Sequence, residues 1–242
     1  VRYAFFSDIH GNLDALTAVL KAIEEDGKAD KVLCVGDLVG YGAEPRECIA
    51  VIRELNCPVI AGNHDFAAAG RMQLDYFNAL AREAIEWTTD TLEEEDKQFL
   101  WNLPLVWDDE ESFVMVHGTL QDPSSFGYVL NDLDALLLFR DLRKDFCVTG
   151  HSHYPCSFVY GQKLVFSREP ELTVEVGQRA IINVGSVGQP RDGDPRACLV
   201  FFDSEQRLIE TQRIVYDVEE AARKIITAGL PEPLADRLLA GI

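Results

Sequence analysis

The sequence predicts an α/β fold, and two observations carry that prediction. Through residue 61, short apolar runs alternate with segments whose apolar residues recur at helical spacing, in the order β-α-β-α-β. Beyond about residue 155 the pattern becomes a series of short strands separated by turn residues, enough to build a second sheet. The 242 residues make one domain or two small ones. A chain of that length buries roughly 70–75% of its unfolded surface, so it needs no disulfide or structural metal to fold.

Taken in order, Arg2 to Ser7 is a buried strand carrying Tyr3, Phe5 and Phe6. Asn12 caps a helix with Leu13, Leu16, Leu20 and Ile23 on one face, and Gly27 lies just past its end. Val32 to Val35 is a second strand. Pro45 opens a helix with Ile49, Ile52 and Leu55 at helical spacing, and Val59 to Ala61 is a third strand. That order implies parallel strands with right-handed crossovers. Gln73 to Trp101 reads as helical, with Trp87 and Trp101 in the core and the acidic run Glu93 to Asp96 as a solvated first turn. Phe113 to Val116 and Phe146 to Thr149 are strands on either side of a helix marked by Leu133, Leu136, Leu137 and Phe139. The later strands are Ser157 to Tyr160, Lys163 to Phe166, Leu172 to Val176, Ala180 to Asn183, Cys198 to Asp203 and Leu208 to Val215. A helical tail broken by Pro231 and Pro233 begins at Val218.

Composition narrows the function. Apolar residues at 47% and charged residues at 26% exclude disorder as the main state. No apolar run approaches the ~20 residues of a spanning helix. The segment Val1 to Ser7 lacks the basic region and apolar core of a signal peptide, so a cytoplasmic location is expected. Lys plus Arg number 22 against 41 Asp plus Glu, a net charge of −19. Such a surface repels phosphate backbones and anionic membranes, which excludes extended nucleic acid and membrane docking as partners. The acidic excess serves solubility, or part of it holds cations. None of the six cysteines forms a Cys-x-x-Cys pair, which fits reduced, buried thiols rather than a disulfide framework or thiolate zinc site.

Chemistry in α/β sheets gathers at the carboxyl ends of strands. The expected strands end in Asp8-Ile9-His10, Gly36-Asp37-Leu38-Val39-Gly40, Gly62-Asn63-His64-Asp65, His117-Gly118 and Gly150-His151-Ser152-His153. All five histidines of the chain lie just past a strand. A lone histidine is ordinarily a satisfied core or surface residue. Five at one sheet edge, joined by Asp8, Asp37 and Asn63, are not explained that way, because a buried aspartate must be paired or metal-bound. Imidazole nitrogen and hard oxygen without thiolate suit Mn, Fe, Co, Ni or Zn in an open, catalytic site. Seven ligands are too many for one ion that keeps open positions. They suit two ions sharing a carboxylate, an arrangement that clamps the attacking and leaving oxygens of a displacement at phosphorus.

In order and spacing these five blocks resemble those of the calcineurin-like metallophosphoesterases, over Asp8 to His153, and less specifically through Asn183 to Arg196 the compact bacterial and archaeal, phosphodiesterase-like members. The resemblance implies a four-layer α/β/β/α sandwich of two mixed β-sheets flanked by helices. It implies a single domain over 1–242 with a helical insertion at about 64–103 and a C-terminal helical extension at about 217–242. It assigns Asp8, His10, Asp37 and His153 to one divalent transition-metal ion and Asp37, Asn63, His117 and His151 to a second. Manganese is the first choice of metal, with iron, nickel, cobalt or zinc as alternatives. His64 is implied as the catalytic histidine that binds no metal and either stabilises developing charge or protonates the leaving oxygen. The activity implied is hydrolysis of a phosphodiester or phosphomonoester, in a small molecule or nucleotide, by a hydroxide bridging the ions. Asp65 is expected to brace the His64 turn. The second block lacks the arginine found in phosphoprotein phosphatases and bis-nucleoside tetraphosphate hydrolases, which argues against both activities.

Other residues leave alternatives open. Arg191, in a Gly/Pro-rich loop, either binds a substrate phosphate or carboxylate or pairs with neighbouring aspartates. Phe126 and Tyr128 either stack on a nucleobase or aromatic leaving group or pack in the core. The rival to an enzyme is a non-catalytic protein-interaction scaffold that keeps the fold. Filled positions throughout the five blocks, His64 included, favour the enzyme.

Overall fold

The protein, described over all 242 residues by a computed structural model, is built on two mixed sheets packed face to face. The elements run β1 (Arg2–Phe6), α1 (Leu13–Asp26), β2 (Lys31–Cys34), α2 (Pro45–Leu55), α3 (Asn63–Ala68), α4 (Ala79–Thr91), α5 (Glu94–Trp101), β3 (Val106–Asp108) and β4 (Phe113–Val116). They continue with α6 (Asp132–Asp141), β5 (Phe146–Thr149), β6 (Cys156–Tyr160), β7 (Leu164–Ser167), β8 (Glu171–Thr173), β9 (Arg179–Asn183), β10 (Ala197–Asp203), β11 (Leu208–Ile214), α7 (Val218–Thr227) and α8 (Glu232–Ala240). The first sheet has the order β2-β1-β10-β11-β8 and the second β3-β4-β5-β9-β6-β7. β1 and β2 are parallel, as are β4, β5 and β9; the other pairings are antiparallel.

Strand alternation explains the layering. On β1, Tyr3 and Phe5 face the second sheet while Ala4 and Phe6 face the helices. On β10, Val200 and Phe202 point inward and Leu199 and Phe201 outward; on β4, Phe113 and Met115 point inward and Val114 and Val116 outward. The inter-sheet core is aromatic, with Phe113 edge-on to Tyr3 and Phe5 at 4.9 and 5.0 Å, and Phe146 against Phe202 at 4.5 Å. Helices α1–α5, α7 and α8 cover the first sheet and α6 covers the second, which makes the expected four-layer sandwich.

Local signals act as read. Asn12 accepts from the Ala15 amide at the start of α1, and Gly27 ends it at φ 62°. Glu93 and Asp96 form a capping box at the start of α5. Three expectations differ. Val59 to Ala61 makes only a single parallel bridge, Val59 to Cys34, because Pro58 has no amide to donate and the Ala61 amide turns to the Pro104 carbonyl. The stretch Gln73 to Trp101 is not one helix but a short 3₁₀ turn (Leu74–Tyr76) followed by α4 and α5, broken where the Glu93 cap starts a new helix. Trp101, expected in the core, is 44% exposed at the last turn of α5, where Arg71 lies over its ring.

Phe113 is fully buried and its ring meets those of Tyr3, Phe5, Trp107 and Phe202. Phe113→Ala should lower stability by about 3–5 kcal/mol, seen as a lower urea midpoint at unchanged slope.

Candidate metal centre

The carboxyl ends of β1, β2, β4 and β5 bring Asp8, His10, Asp37, His117, His151 and His153 to one edge, and the first turn of α3 adds Asn63 and His64. All eight are buried. Candidate ligand atoms of Asp8, His10, Asp37 and His153 lie within 4.8 Å of one another, as do those of Asp37, His117 and His151. Asp37 belongs to both groups. Asp8, His10, Asp37, His151 and His153 have φ between 50° and 67°, the left-handed region that side-chain-bearing residues seldom enter. Strain of this kind persists where surrounding structure enforces it, and it collects at functional sites. Here the chain turns sharply within two to four residues of the ends of β1, β2 and β5.

The rings are oriented from behind. His10 Nδ1 meets the Val39 carbonyl at 3.0 Å, His117 Nδ1 the Val35 carbonyl at 2.7 Å and His153 Nδ1 the Gln189 carbonyl at 2.5 Å. A carbonyl only accepts, so each Nδ1 carries a proton and donates it, which turns Nε2 inward, where it offers a lone pair whenever the ring is neutral. That is the orientation of a ligand imidazole. His10 Nε2 and His153 Nε2 stand 3.1 Å apart. The carboxylates are fixed similarly. The His151 amide donates to Asp8 Oδ2 at 3.1 Å and the His64 amide to Asp37 Oδ1 at 2.9 Å. Asp8 Oδ1, Asp37 Oδ2, Asn63 Oδ1 and His117 Nε2 are buried with no hydrogen-bond partner. Gly62 has no side chain because a Cβ there would overlap Asp37 Oδ1.

Charge is unbalanced. Burial opposes ionisation of Asp8, but His153 and His117 outweigh it and hold its carboxyl well below the usual range. Asp37 is likewise held low, against burial, chiefly by His117 and His64. Burial opposes charge on His117 too, yet Asp37 and Asp8 push its pKa up to about 10. Burial brings His151 down to about 3 and His153 to about 4, with help from His117 and Arg191 respectively. Two ionised carboxylates thus face one imidazolium, with inward lone pairs between them. Divalent cations fit this donor set: they would meet the orphaned oxygens and nitrogens and neutralise the buried charge.

A family model described as calcineurin-like phosphoesterase matches residues 1–155. The chain belongs to the calcineurin-like phosphoesterase family. It is 39% identical over 243 residues to the uncharacterized protein MJ0912 of Methanocaldococcus jannaschii, covering 98% of this chain and 97% of that protein. The crystal structure of a metallophosphoesterase from Sphaerobacter thermophilus superposes with a TM-score of 0.86 at 38% identity, over 100% of this chain and 99% of that one. A shorter stretch of 63 residues is 33% identical to the symmetrical bis(5'-nucleosyl)-tetraphosphatase of Actinobacillus succinogenes, 25% of this chain and 23% of that protein. The chain is therefore a phosphoric ester hydrolase of compact bacterial and archaeal type, with a His/Asp cluster able to bind metal ions. No helix is long and apolar enough to cross a membrane.

Other residues of this phosphoesterase complete the edge. Asp65 Oδ1 accepts from the Leu38 and Val39 amides at 2.8 and 3.3 Å, and Oδ2 from the Gly62 amide at 2.9 Å. It ties the loop after β2 to the start of α3, the bracing role expected of it. Arg191 pairs with no aspartate. Its guanidinium donates to Gln189 Oε1 at 2.9 Å and to the Tyr41 hydroxyl at 3.3 Å and faces the cleft with His64 and His151. Arg196 instead makes the local pair, with Asp194. His151 has no carbonyl behind its ring; Tyr128 stacks on it at 3.9 Å and 20°. Phe126 is buried against Phe66. Two residues escaped the sequence reading. Tyr41, at φ 63°, packs against both the His10 and His64 rings, at 4.7 and 4.6 Å, and Gln189 holds both His153 and Arg191. The glycines flanking Tyr41 were the available signal of an unusual turn.

Asp65→Ala removes the acceptor of three buried amides at once, and should cost on the order of 3 kcal/mol in chemical denaturation.

Proposed function

We propose that this enzyme hydrolyses a phosphodiester or phosphomonoester of a small molecule or nucleotide. In this scheme Asp8, His10, Asp37 and His153 hold one divalent transition-metal ion. Asp37, Asn63, His117 and His151 hold the other, and Asp37 bridges. The observation that carries it is the convergence of Asp8 Oδ1, Asp37 Oδ2, Asn63 Oδ1 and His117 Nε2, all buried and unpartnered, on one strand edge. When bound, the ions supply an activated water and positive charge for the phosphoryl oxygens. The chain's own residues do the rest. Five left-handed turns hold ligands at fixed separations. Arg191, free of any carboxylate, orients the substrate's anionic group. His64 lies on the cleft wall and donates a hydrogen bond to the developing charge; burial foremost holds its pKa well below the ordinary value, so it acts as the neutral imidazole. Manganese is the metal we favour. We treat residues 1–242 as one catalytic domain, with about 64–103 as a helical insertion forming one wall of the cleft and about 217–242 as an extension.

Asp37 touches both proposed ions. Asp37→Ala should lose most of both, whereas Asn63→Ala should lose mainly one; elemental analysis counts them, and two ions retained in Asp37→Ala would refute the bridge. The pH dependence follows from His117. With its pKa raised to about 10, it is protonated at neutral pH in the ion-free protein and must give up that proton to bind. Metal affinity should therefore rise about tenfold per pH unit between pH 7 and 9, with about one proton released per ion bound at this site, measured by calorimetry in buffers of different ionisation enthalpy. His117→Ala should flatten that dependence.

His64→Ala should keep both ions and the fold while lowering turnover of bis(p-nitrophenyl) phosphate by roughly 10²–10³-fold, the range for one charge-stabilising donor. Because His64 is neutral, the loss should be similar for aryl and alkyl leaving groups. A loss confined to poor leaving groups would instead make it a proton donor.

A further inference from the structure

The cleft beside the metal cluster is shaped for more than a phosphoryl group. It has a volume of ≈ 340 Å³. Five of the fourteen residues lining it are aromatic, Tyr41, Tyr76, Phe77, Phe126 and Tyr128, against 10% of the chain as a whole. No aspartate or glutamate lines it, although the chain has 41 of them, and its one arginine or lysine is Arg191. Tyr128 uses one ring face to stack on His151 and is 48% exposed, so its other face is open to the cleft. Phe77 stands on the far wall, edge-on to His64 at 5.1 Å. Arg191 is held by two neutral acceptors, so its charge stays available to an anion.

A flat π surface, a cation without a carboxylate partner and a wall free of negative charge together select a planar aromatic group attached to a phosphate. We infer that the cleft recognises the nucleoside part of a nucleotide-class phosphoester, with the base on the open face of Tyr128 and Arg191 on a phosphate oxygen. This inference rests on the proposed phosphoesterase reading and adds the substrate class to it. The volume suits one nucleoside-sized group rather than an extended strand. Stacking on tyrosine tolerates any base, so the slot selects bases over sugars and alkyl groups and does not choose among bases.

Calorimetry on the metal-loaded full chain with AMP and ribose 5-phosphate separates base from phosphate. AMP should bind at least about tenfold more tightly. Tyr128→Ala should erase that advantage while leaving ribose 5-phosphate binding in place, and Tyr128→Phe should restore it. Arg191→Ala should weaken both probes by a similar factor. Equal affinities in the unmodified protein, no binding of either probe, or an advantage that survives Tyr128→Ala would overturn the inference. Metal content measured on each variant controls for the contact between Tyr128 and His151. Hydrolysis of bis(p-nitrophenyl) phosphate by the same preparation tests the enzyme reading separately. An active protein that binds both probes equally refutes only the nucleoside slot. An inactive one that prefers AMP keeps the slot and refutes the phosphodiester arm of the proposed function.

Discussion

Two carboxylates withdrawn from water, Asp8 and Asp37, govern the architecture of the strand edge. A buried charge must be matched or it is expelled. Each has one oxygen fixed by a backbone amide and the other facing inward with no hydrogen-bond partner. The imidazoles that face them are turned by carbonyls so that each Nε2 points at the same space. The one imidazolium, His117, offsets only one of the two carboxylate charges. The left-handed turns at Asp8, His10, Asp37, His151 and His153 add to the cost, at roughly 1 kcal/mol or more apiece. Summed, that is comparable with the whole stability of an ordinary domain. A cation would relieve the charge and its binding would offset the backbone strain, so binding at this edge would be coupled to the stability of the fold.

The ligand candidates come from both sheets, and this gives the aromatic inter-sheet core a functional meaning. Asp8, His10 and Asp37 follow β1 and β2 of one sheet; His117, His151 and His153 follow β4 and β5 of the other. The spacing between the two sets is the spacing between the sheets. Phe113, Phe146 and Phe202 between them are close-packed and resist compression. Asp65 adds a local brace between β2 and α3, so that Asp37, Asn63 and His64 move as one piece. A site held on strand ends by a rigid core keeps its geometry better than one carried on mobile loops.

Much of this was legible in the sequence, for definable reasons. The β1-α1-β2 unit announces itself because strand and helix periods differ, and four of the five histidines follow strands, His64 instead standing in the first turn of α3. What the pattern could not report was partner choice. Val59 to Ala61 has strand composition, but Pro58 denies it a ladder and Pro104 takes its amide. Trp101 has the right spacing for a core residue but sits at the end of its helix, where only Arg71 lies over its ring. Arg191 was poised between aspartate and substrate. Its sequence neighbours Asp192 and Asp194 are taken by Arg168, Arg213 and Arg196, which are distant or next in line, and only three dimensions show Arg191 turned towards Tyr41. Tyr41 itself could be suspected from its flanking glycines, but its contact with two histidine rings depends on a φ that composition does not encode.

The net charge of −19 and the anion-seeking cleft look contradictory, and screening reconciles them. At physiological salt the Debye length is about 8 Å, so a phosphoester approaching the surface feels the acidic exterior, and one inside the cleft feels mainly its lining. That lining has no carboxylate and one arginine, next to a cluster that would bring cations of its own. On the proposed reading, a polyanion longer than the cleft would lay its remaining phosphates against a chain of net charge −19. A small phosphoester puts all of its charge where the local field is favourable. On the proposed reading, the acidic exterior would favour single phosphoesters over extended ones.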